Sequence, residues 1–330
     1  MKTTVVLCTH NRCERLAKTL DSLAKSVLPD STHWEVLVVD NNSSDCTRYV
    51  VDDFCSRFPG RFRYSFESIP GKSNALNRGI REASGEVLAF TDDDVTVAPT
   101  WLQNLTGVLE KSEWAGSSGR TFPETGFSAP SWLVIEERNS ALLGLFDRGP
   151  DAFDLREPPL GNNMAFRRQV FEKHGYFRTD LGPRPGSEIR GEDSEFGIRI
   201  LASGEKIRYV PSAVVYHAVP GSRIRKNYFL SWWFDKGRTD VRTSGCEPQF
   251  ERFLFGVPVI FIRRLIKWSL LWMLSLRDSV RFSNKMGVWF LAGQIWECLR
   301  ESHPSRSIGK HLHAGDATNS RPNGSDMARE

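Results

Sequence analysis

The amino-acid sequence predicts an α/β fold, built as a mostly parallel sheet flanked by helices and followed by a C-terminal helical extension. Two observations predict the sheet. Short apolar runs alternate with segments of helical periodicity from residue 3 onward, and polar clusters follow the ends of the apolar runs. A third observation predicts the extension, since after Val219 long apolar stretches are interrupted by basic side chains.

The first 94 residues carry the alternating pattern most clearly. The run Val5–Cys8 is typical of a strand buried on both faces, and Leu16, Leu20 and Leu23 then recur at helical spacing. The same pattern predicts further strands at Val36–Val39, Phe62–Phe66 and Val87–Phe90, and helices at Arg12–Lys25, Thr47–Phe58 and Lys72–Ala83. This order implies parallel strands with right-handed crossovers, which places the polar clusters at one ligand-binding edge.

Shorter elements are predicted beyond residue 160. They are a strand at Gly161–Phe166, a helix at Arg167–His174, a mobile loop at Thr179–Arg190, a helix at Glu195–Ala202 begun at Asp193 or Ser194, and strands at Ile207–Val210 and Ala213–His217. We expect residues 1–225 to form the α/β domain, 226–300 an amphipathic helical region and 301–330 a polar, disordered tail.

Charge is small overall but unevenly placed. The formal net charge of +4 over 330 residues gives no indication of nucleic-acid binding. Basic residues crowd the last third of the chain, which indicates an anionic partner there.

The segment Phe253–Leu276 combines large apolar side chains with three basic residues, Arg263, Arg264 and Lys267. Charges in mid-segment disfavour a bilayer-spanning helix. We expect an amphipathic helix in the plane of an anionic membrane surface, with Trp268 and Trp272 near the headgroups. The alternative is a helical subdomain packed on the sheet.

The six cysteines form no CxxC pair and no zinc-binding cluster with histidine. They are Cys8, Cys13, Cys46, Cys55, Cys246 and Cys298. We expect free, partly buried thiols in a reducing compartment. The sequence opens on a strand without a secretory signal pattern, so we expect a cytoplasmic protein, peripheral at the inner face of a membrane.

Three adjacent carboxylates, Asp92, Asp93 and Asp94, follow the fourth predicted strand. They repel one another unless a cation is present, and alternate residues of an extended turn share one side. Asp92 and Asp94 are therefore candidate ligands of Mn²⁺ or Mg²⁺, with a solvated acidic turn as the alternative. His217 becomes a third ligand only if the two strand ends meet, and imidazole suits Mn²⁺ better than Mg²⁺.

Two further carboxylates lie at element ends. Asp193 is a candidate general base, and the alternative is that it caps the following helix. Asp40 follows the second strand, where a carboxylate can accept hydrogen bonds from a nucleotide's base or ribose. Capping of the next helix is the alternative role for Asp40.

Six segments in order, between Thr3 and Asp240, resemble family 2 glycosyltransferases of the GT-A fold. They are Val5-Val6-Leu7-Cys8-Thr9-His10-Asn11-Arg12, Val38-Val39-Asp40-Asn41-Asn42-Ser43, Gly71-Lys72-Ser73-Asn74-Ala75-Leu76-Asn77-Arg78-Gly79, Thr91-Asp92-Asp93-Asp94, Gly161-Asn162-Asn163-Met164-Ala165-Phe166-Arg167-Arg168 and Gly191-Glu192-Asp193. No single segment is specific by itself, but all six in order are. The resemblance implies a GT-A catalytic domain over residues 1–225.

The resemblance also implies roles for individual residues. Asp193 would be the base of an inverting, single-displacement transfer, and Asp94 the main metal ligand together with Asp92 and His217. Arg223 and Arg225 would steady the departing diphosphate. The implied substrate-binding residues are Thr9, Asn11, Arg12, Asp40, Lys72, Asp92, Asp93 and Arg225.

The resemblance therefore implies metal-dependent transfer of a sugar from a nucleoside diphosphate sugar, with a UDP-sugar favoured. The expected acceptor is a glycan or lipid-linked precursor of a surface polysaccharide. Processive relatives carry a QxxRW motif and several transmembrane helices; neither is found here, which favours addition of one sugar or very few. The alternatives are a nucleotidyltransferase and a catalytically inactive scaffold. Thr9-His10-Asn11-Arg12 lacks the glycines of the former, and the intact carboxylates disfavour the latter.

Overall fold

The computed structural model describes residues 1–29, 31–133, 135, 137–187, 189–245 and 252–302. From residue 303 onward the predicted polar tail lies outside the described residues, as does Cys246. The first half of the chain alternates strands and helices as the sequence predicts. Its elements are β1 (Thr3–Thr9), α1 (Cys13–Ala24), β2 (Trp34–Asp40), α2 (Thr47–Arg57), β3 (Phe62–Phe66), α3 (Lys72–Glu82), β4 (Val87–Asp92), β5 (Val95–Val97), α4 (Trp101–Gly107) and β6 (Gly116–Pro123).

The second half contains shorter strands and longer helices. Its elements are α5 (Glu137–Ser140), β7 (Phe153–Asp154), β8 (Met164–Arg167), α6 (Arg168–His174), α7 (Glu192–Ala202), β9 (Ile207–His217), α8 (Lys226–Ser244), β10 (Phe253–Leu254), β11 (Val257–Pro258), α9 (Val259–Leu274) and α10 (Asp278–Ser302).

One sheet organises the α/β part, with the strand order β3-β2-β1-β4-β8-β6-β9-β5, and β7 pairs with β9. The first four strands are parallel, in the register that sets Thr9 beside Asp40 and Cys8 beside Asp92. Beyond β4 the pairing is mixed, because β8 runs antiparallel to both β4 and β6. The carboxyl ends of β1, β2 and β4 therefore meet at one edge, as the element order predicts.

Alternation of side chains along the strands builds a core on each face of the sheet. Val5 and Leu7 point with Val36 and Val38 into the cluster that α1, α2 and α4 cover. Val6, Leu37 and Val39 point the other way, towards α3, α6 and α7. Strands buried on both faces read as continuous apolar runs, which is why the sequence pattern identifies them.

Three local expectations differ from the structure. Residues 207–217 form one strand rather than two, with its register shifted opposite Gly119 and Arg120. Helix α7 begins at Glu192, after Gly191 at φ +97°, so Asp193 lies in the first turn and is not the cap. Strands β5 and β6 and helix α4 were not predicted, because they are short or lack clear periodicity.

Helices α8, α9 and α10 form the C-terminal extension. Helix α10 packs against α8 so closely that a Cβ at Gly237 would lie 2.0 Å from the carbonyl oxygen of Phe290, and one at Gly293 1.9 Å from that of Phe234. Helix α9 also packs against α10, in a cluster that includes Val241 of α8. No helix in the described ranges is both long and apolar enough to cross a membrane.

A buried carboxylate ties together the edge of the sheet opposite the polar clusters. Glu35 on β2 accepts hydrogen bonds from Thr4 Oγ1 at 2.9 Å, Ser84 N at 3.1 Å and Arg63 Nη1 at 3.0 Å, and from the Ser84 hydroxyl. Burial by itself would raise the pKa of Glu35, but these hydrogen bonds outweigh it and lower that pKa from 4.5 to about 2. The ionised form is therefore stabilised in the folded protein.

We predict that Glu35→Gln lowers the free energy of unfolding by on the order of 2 kcal/mol at neutral pH. Because the folded-state pKa is depressed, the stabilisation is complete above pH 4.5 and is lost as the pH falls towards 2. Denaturant unfolding at pH 7 and pH 3 measures this. The control Asp53→Asn, at a half-exposed pair with Arg57, should change stability by less than about 0.5 kcal/mol. An equal loss for Glu35→Gln at both pH values would contradict the prediction.

Candidate active site

A cleft of about 520 Å³ opens at the carboxyl edge of the parallel strands. Its floor comes from the ends of β1, β4 and β9, and its walls come from the start of α7, the loop before it and one side of α8. Eight predicted site residues line it together: Thr9, Arg12, Lys72, Asp92, Asp93, Asp94, Asp193 and His217. Residues distant in sequence meet here because parallel strands present their ends on one side.

Asp93 fixes the loop after β1 to the end of β4. Its carboxylate accepts hydrogen bonds from Thr9 Oγ1 at 2.8 Å and from Arg12 Nη1 at 3.0 Å. Burial raises the pKa of Asp93 to about 6, although the Arg12 charge opposes the rise. Asp93 thus holds Arg12 at the cleft mouth, where the guanidinium stays about 42% exposed and open to a ligand.

Asp94 is the most enclosed of the three adjacent carboxylates. Its Oδ1 lies 3.3 Å from His217 Nε2, and its Oδ2 lies 3.3 Å from Arg12 Nη1 and 3.5 Å from Arg223 Nη2. Burial alone would raise the pKa of Asp94, but the hydrogen bond and charge of His217 and the two guanidinium groups hold it well below its usual range. The strand ends of β4 and β9 therefore do meet, as the His217 hypothesis requires.

Lys72 lies between two acidic elements. Its Nζ is 2.7 Å from Asp92 Oδ1 and 3.6 Å from Glu192 Oε1. Burial alone would lower the pKa of Lys72, but Asp92, Glu192 and Asp193 outweigh it and raise that pKa above its usual value. Burial raises the pKa of Glu192, and the Asp193 charge adds to the rise. Asp92 therefore faces Lys72 rather than Asp94 in this structure.

Asp193 is held by backbone groups. Its Oδ2 accepts from Gly161 N at 2.8 Å, and its Oδ1 accepts from Ser194 N at 2.7 Å. A Cβ at Gly161 would lie 2.8 Å from Asp193 Oδ2, so glycine lets the turn before β8 approach this carboxylate closely. These two N–H groups fix the orientation of the Asp193 carboxylate.

The turns after β1 and β2 are joined by side chains from each. Asn11, in the left-handed region at φ +51°, receives the Ser44 N–H on its Oδ1 at 2.7 Å, and its own N–H reaches Ser43 Oγ at 2.9 Å. Asp40 accepts from Ser43 N and from Tyr64 OH, both at 2.9 Å. Both side chains thus shape the turns behind the cleft.

Three predicted substrate-binding residues are not among the described residues that line the cleft: Asn11, Asp40 and Arg225. Asp40 is buried behind it, and Arg225 is exposed at the start of α8. The structure brings Arg223, not Arg225, to Asp94.

The expectation of free thiols is wrong for Cys13 and Cys46, which form a disulfide. It links the start of α1 to the residue before α2, next to the joined turns. Cys13 N also donates to Asp45 Oδ2 at 2.9 Å, so two bonds fix this corner. Cysteines 33 residues apart meet because parallel strands align the two turns, which spacing alone did not reveal. The reducing compartment inferred from free thiols loses that support.

One side of α8 supplies a cleft wall that the sequence did not indicate. Trp232, Asp235, Lys236 and Thr239 lie along it. Thr239 Oγ1 donates to Arg190 O at 3.0 Å, which fixes the loop that leads into Glu192 and Asp193. No sequence signal marks these four residues, since their role depends on how the extension docks on the α/β part.

The donor set at the cleft floor fits a divalent cation at Asp94 and His217. Neighbouring ligand atoms on an octahedral ion with bonds of about 2.1 Å lie about 3 Å apart, and the Asp94 Oδ1 to His217 Nε2 distance is 3.3 Å. Across the described residues no three His, Cys, Asp or Glu side chains are gathered as a preformed metal site. Asp92 is drawn instead to Lys72, so the remaining ligands would be water and the oxygens of a bound phosphate.

Buried carboxylates, basic groups and a cleft at a strand-end edge are typical of an α/β enzyme. Residues 4–175 match the family model for glycosyl transferase family 2, and residues 90–296 match that for glycosyl transferase family group 2. The first match alone covers more than half of the chain, so the protein belongs to glycosyltransferase family 2 and is a glycosyltransferase. The resemblance inferred from the six segments is confirmed.

Two curated relatives match most of their own length. The succinoglycan biosynthesis protein ExoM of Rhizobium meliloti is 28% identical over 236 residues, which are 72% of this chain and 73% of that protein. Glucosyl-dolichyl phosphate glucuronosyltransferase of Haloferax volcanii is 28% identical over 245 residues, which are 71% and 75% respectively.

Solved structures confirm the GT-A fold. The mannosyltransferase PcManGT from Pyrobaculum calidifontis, in complex with GDP-Man and Mn²⁺, superposes with a TM-score of 0.60 at 20% identity, over 89% of this chain and 86% of that chain. S. aureus TarS in complex with UDP superposes with a TM-score of 0.51 at 14% identity, over 92% of each chain.

We predict that Gly161→Ala lowers kcat by about 10²-fold or more, because the added methyl group displaces the Asp193 carboxylate. The thermal unfolding midpoint should change little if the carboxylate swings into the cleft. Turnover and a thermal melt measure the two effects. Gly107→Ala is the matched control, since a Cβ there meets nothing within 4 Å. Full turnover in Gly161→Ala would contradict this assignment of Gly161.

Proposed function

We propose that this family 2 glycosyltransferase catalyses inverting, metal-dependent transfer of one sugar from a nucleoside diphosphate sugar. The observation that carries the proposal is the meeting of Asp94 and His217 at 3.3 Å in the same cleft that holds Asp193 on Gly161 N. One group of residues is suited to a metal-bound diphosphate, and the other offers a fixed carboxylate for proton transfer.

Asp94 and His217 would hold Mn²⁺ or Mg²⁺, and the bound ion would neutralise charge on the departing diphosphate. Arg12 and Arg223 already reach Asp94 and would add two positive charges on the phosphate side. Mn²⁺ accompanies the nucleotide in the structures of PcManGT and of GalNAc-T7. This supports a divalent ion, and an imidazole ligand favours Mn²⁺.

A nucleoside diphosphate sugar is the proposed donor, with UDP favoured. The joined turns after β1 and β2 would receive the nucleoside near Thr9, Arg12 and Lys72, with Asp40 supporting the turn from behind. UDP is bound in the TarS and GalNAc-T7 structures, whereas PcManGT binds GDP-Man. These ligands support a nucleoside diphosphate sugar as the donor. Which nucleobase the donor carries is to be measured.

The proposed transfer is a single displacement. An acceptor hydroxyl oxygen forms a bond to the anomeric carbon while the bond from that carbon to the diphosphate oxygen breaks. The hydroxyl proton passes to Asp193, and the nucleoside diphosphate leaves. Asp193 is suited to this step because two backbone N–H groups hold its carboxylate in a fixed orientation in the cleft.

The proposed acceptor is a glycan or lipid-linked precursor in polysaccharide or glycoconjugate synthesis. The names of the two relatives support this class, since one acts in succinoglycan biosynthesis and the other on glucosyl-dolichyl phosphate. A peripheral position at the inner face of a membrane would bring the enzyme to such an acceptor.

We predict that turnover with a panel of sugar nucleotides is lost in EDTA and restored by Mn²⁺ or Mg²⁺. We also predict that His217→Ala weakens Mn²⁺-dependent UDP binding and shifts metal preference, because one of the two facing ligands is removed. Calorimetry with UDP measures binding. His174→Ala, remote at a pair with Glu205, is the matched control. Full activity in EDTA would remove the metal from the proposal.

We predict that Asp193→Asn binds donor almost normally but turns over about 10²- to 10⁴-fold more slowly, because the proton acceptor is lost. Glu192→Gln should be milder, since Glu192 faces Lys72 and not the Gly161 backbone. Steady-state kinetics and UDP titrations separate the effects. If Glu192→Gln abolishes turnover while Asp193→Asn retains it, the base has been assigned to the wrong carboxylate.

A further inference from the structure

The strongest unassigned feature outside the cleft is an apolar, basic surface on the C-terminal extension. Ten of the 22 exposed large hydrophobic side chains in the described part of the chain lie between Phe253 and Val280. They are Phe253, Leu254, Phe255, Ile266, Leu270, Leu271, Met273, Leu274, Leu276 and Val280. Such a concentration marks an interaction surface, because monomeric proteins rarely expose large contiguous apolar patches.

Helix α9 has one side that is exposed and belongs to this surface, and an opposite side that packs on α10. At 3.6 residues per turn, Ile266, Leu270 and Leu274 share one side, and they are 57%, 49% and 75% exposed. The opposite side packs on α10, with Phe261 buried and Trp268 against Gly287. Trp272 also turns inward, to Trp289. The expectation that Trp268 and Trp272 meet headgroups therefore differs from the structure, and aliphatic side chains take the outer face.

A hairpin made by β10 and β11 extends the surface just before α9. Its tip residue Phe255 is 84% exposed and has φ +51°, a region that disfavours a bulky side chain. Val259 N donates to Arg252 O at 3.0 Å, which fixes the hairpin at the start of α9. The described residues leave this aromatic side chain uncovered on a strained turn, so it is available to a partner that would bury it.

The positive charge of this surface favours an anionic partner. Residues 252–285 carry seven basic side chains and one acidic side chain, Asp278. A two-fold contact with a second copy would set the same cations against one another. The sequence of the segment 303–330 offers few large apolar side chains to such a surface: Ile308, Leu312 and Met327. An anionic bilayer offers both acyl chains for the apolar residues and phosphates for the cations.

We propose that the exposed face of α9, with the Phe255 hairpin tip, is a docking surface for an anionic lipid bilayer. The helix has 16 residues and would lie in the interface plane. Arg263, Arg264 and Lys267 reach phosphates with their charged ends while their stems lie along the apolar stripe. The surface deepens the proposed function by naming the environment in which the acceptor is met.

Packed helices of the extension connect the docking surface on α9 to the cleft. Trp268 joins α9 to α10, and Gly293 and Gly237 bring α10 against α8 backbone to backbone. Buried Glu297 on α10 adds ion pairs to Arg238 at 3.0 Å and Arg242 at 2.8 Å on α8. Helix α8 then forms the cleft wall. A bilayer bound at α9 would therefore be connected through packed helices to one wall of the cleft.

The test is binding of the full chain to two kinds of vesicles, one of pure phosphatidylcholine and one that also contains phosphatidylglycerol, without donor or acceptor. We expect retention on the anionic vesicles only, weakened by salt. Lys267→Gln should bind roughly fivefold more weakly, and Leu274→Asp and Phe255→Ser should lose most binding. The matched controls are Lys111→Gln and Tyr49→Asp, both exposed and distant in the fold; they should bind like the unmodified chain.

Three results would contradict the proposal of a bilayer-docking surface. The first is equal retention on both vesicle types, and the second is binding that the α9 and hairpin variants leave unchanged. The third is concentration-dependent self-association in sedimentation that Leu274→Asp abolishes, which would assign the face to a second copy. Because no transfer is measured, these outcomes are independent of the sugar-transfer proposal, and loss of turnover would leave the vesicle result standing.

Discussion

The compensation of buried negative charge at the end of β4 is the constraint on which the site depends. Asp93 and Asp94 are almost fully enclosed, and carboxylates so placed must be paired or hydrogen-bonded. Asp93 is satisfied from β1 by Thr9 and Arg12, and Asp94 from β9 by His217 and from the following loop by Arg223. The acid cluster therefore draws three parts of the chain to one point.

The same balance leaves the cleft ready for a phosphate-bearing ligand. Arg12 and Arg223 are paired with Asp94, whose charge a divalent ion at Asp94 and His217 would neutralise, and these two cations would then be able to turn to phosphate. Asp193 stands apart from this exchange because its partners are backbone N–H groups. A carboxylate held by the backbone keeps its position while side-chain pairs rearrange, which suits proton transfer.

The C-terminal extension has two roles in the structure: α8 forms a wall of the cleft, and α9 presents an exposed apolar and basic face. Its inner helix touches the loop before Asp193 through Thr239, and its outer helix presents aliphatic and basic side chains outward. The alternative of a packed helical subdomain is seen in the structure, since α8 packs on the α/β part. The described residues leave one face of α9 uncovered, and its contact with a membrane surface stays a prediction. A helix was predicted within the segment Phe253–Leu276, but the side predicted to face outward, with Trp268 and Trp272, packs on α10 instead.

The sequence by itself determined the parallel half of the sheet, the edge at which ligands bind and the family. Strands buried on both faces are continuous apolar runs, and the polar residues that follow them, such as Asp40 and Asp94, mark that edge. Tertiary structure alone decided that Cys13 meets Cys46, that Arg223 rather than Arg225 reaches Asp94, that Asp92 turns to Lys72, and that α8 closes the cleft. Each of these depends on how separate elements dock. Local periodicity records which side of an element is buried, but not the neighbour against which it is buried.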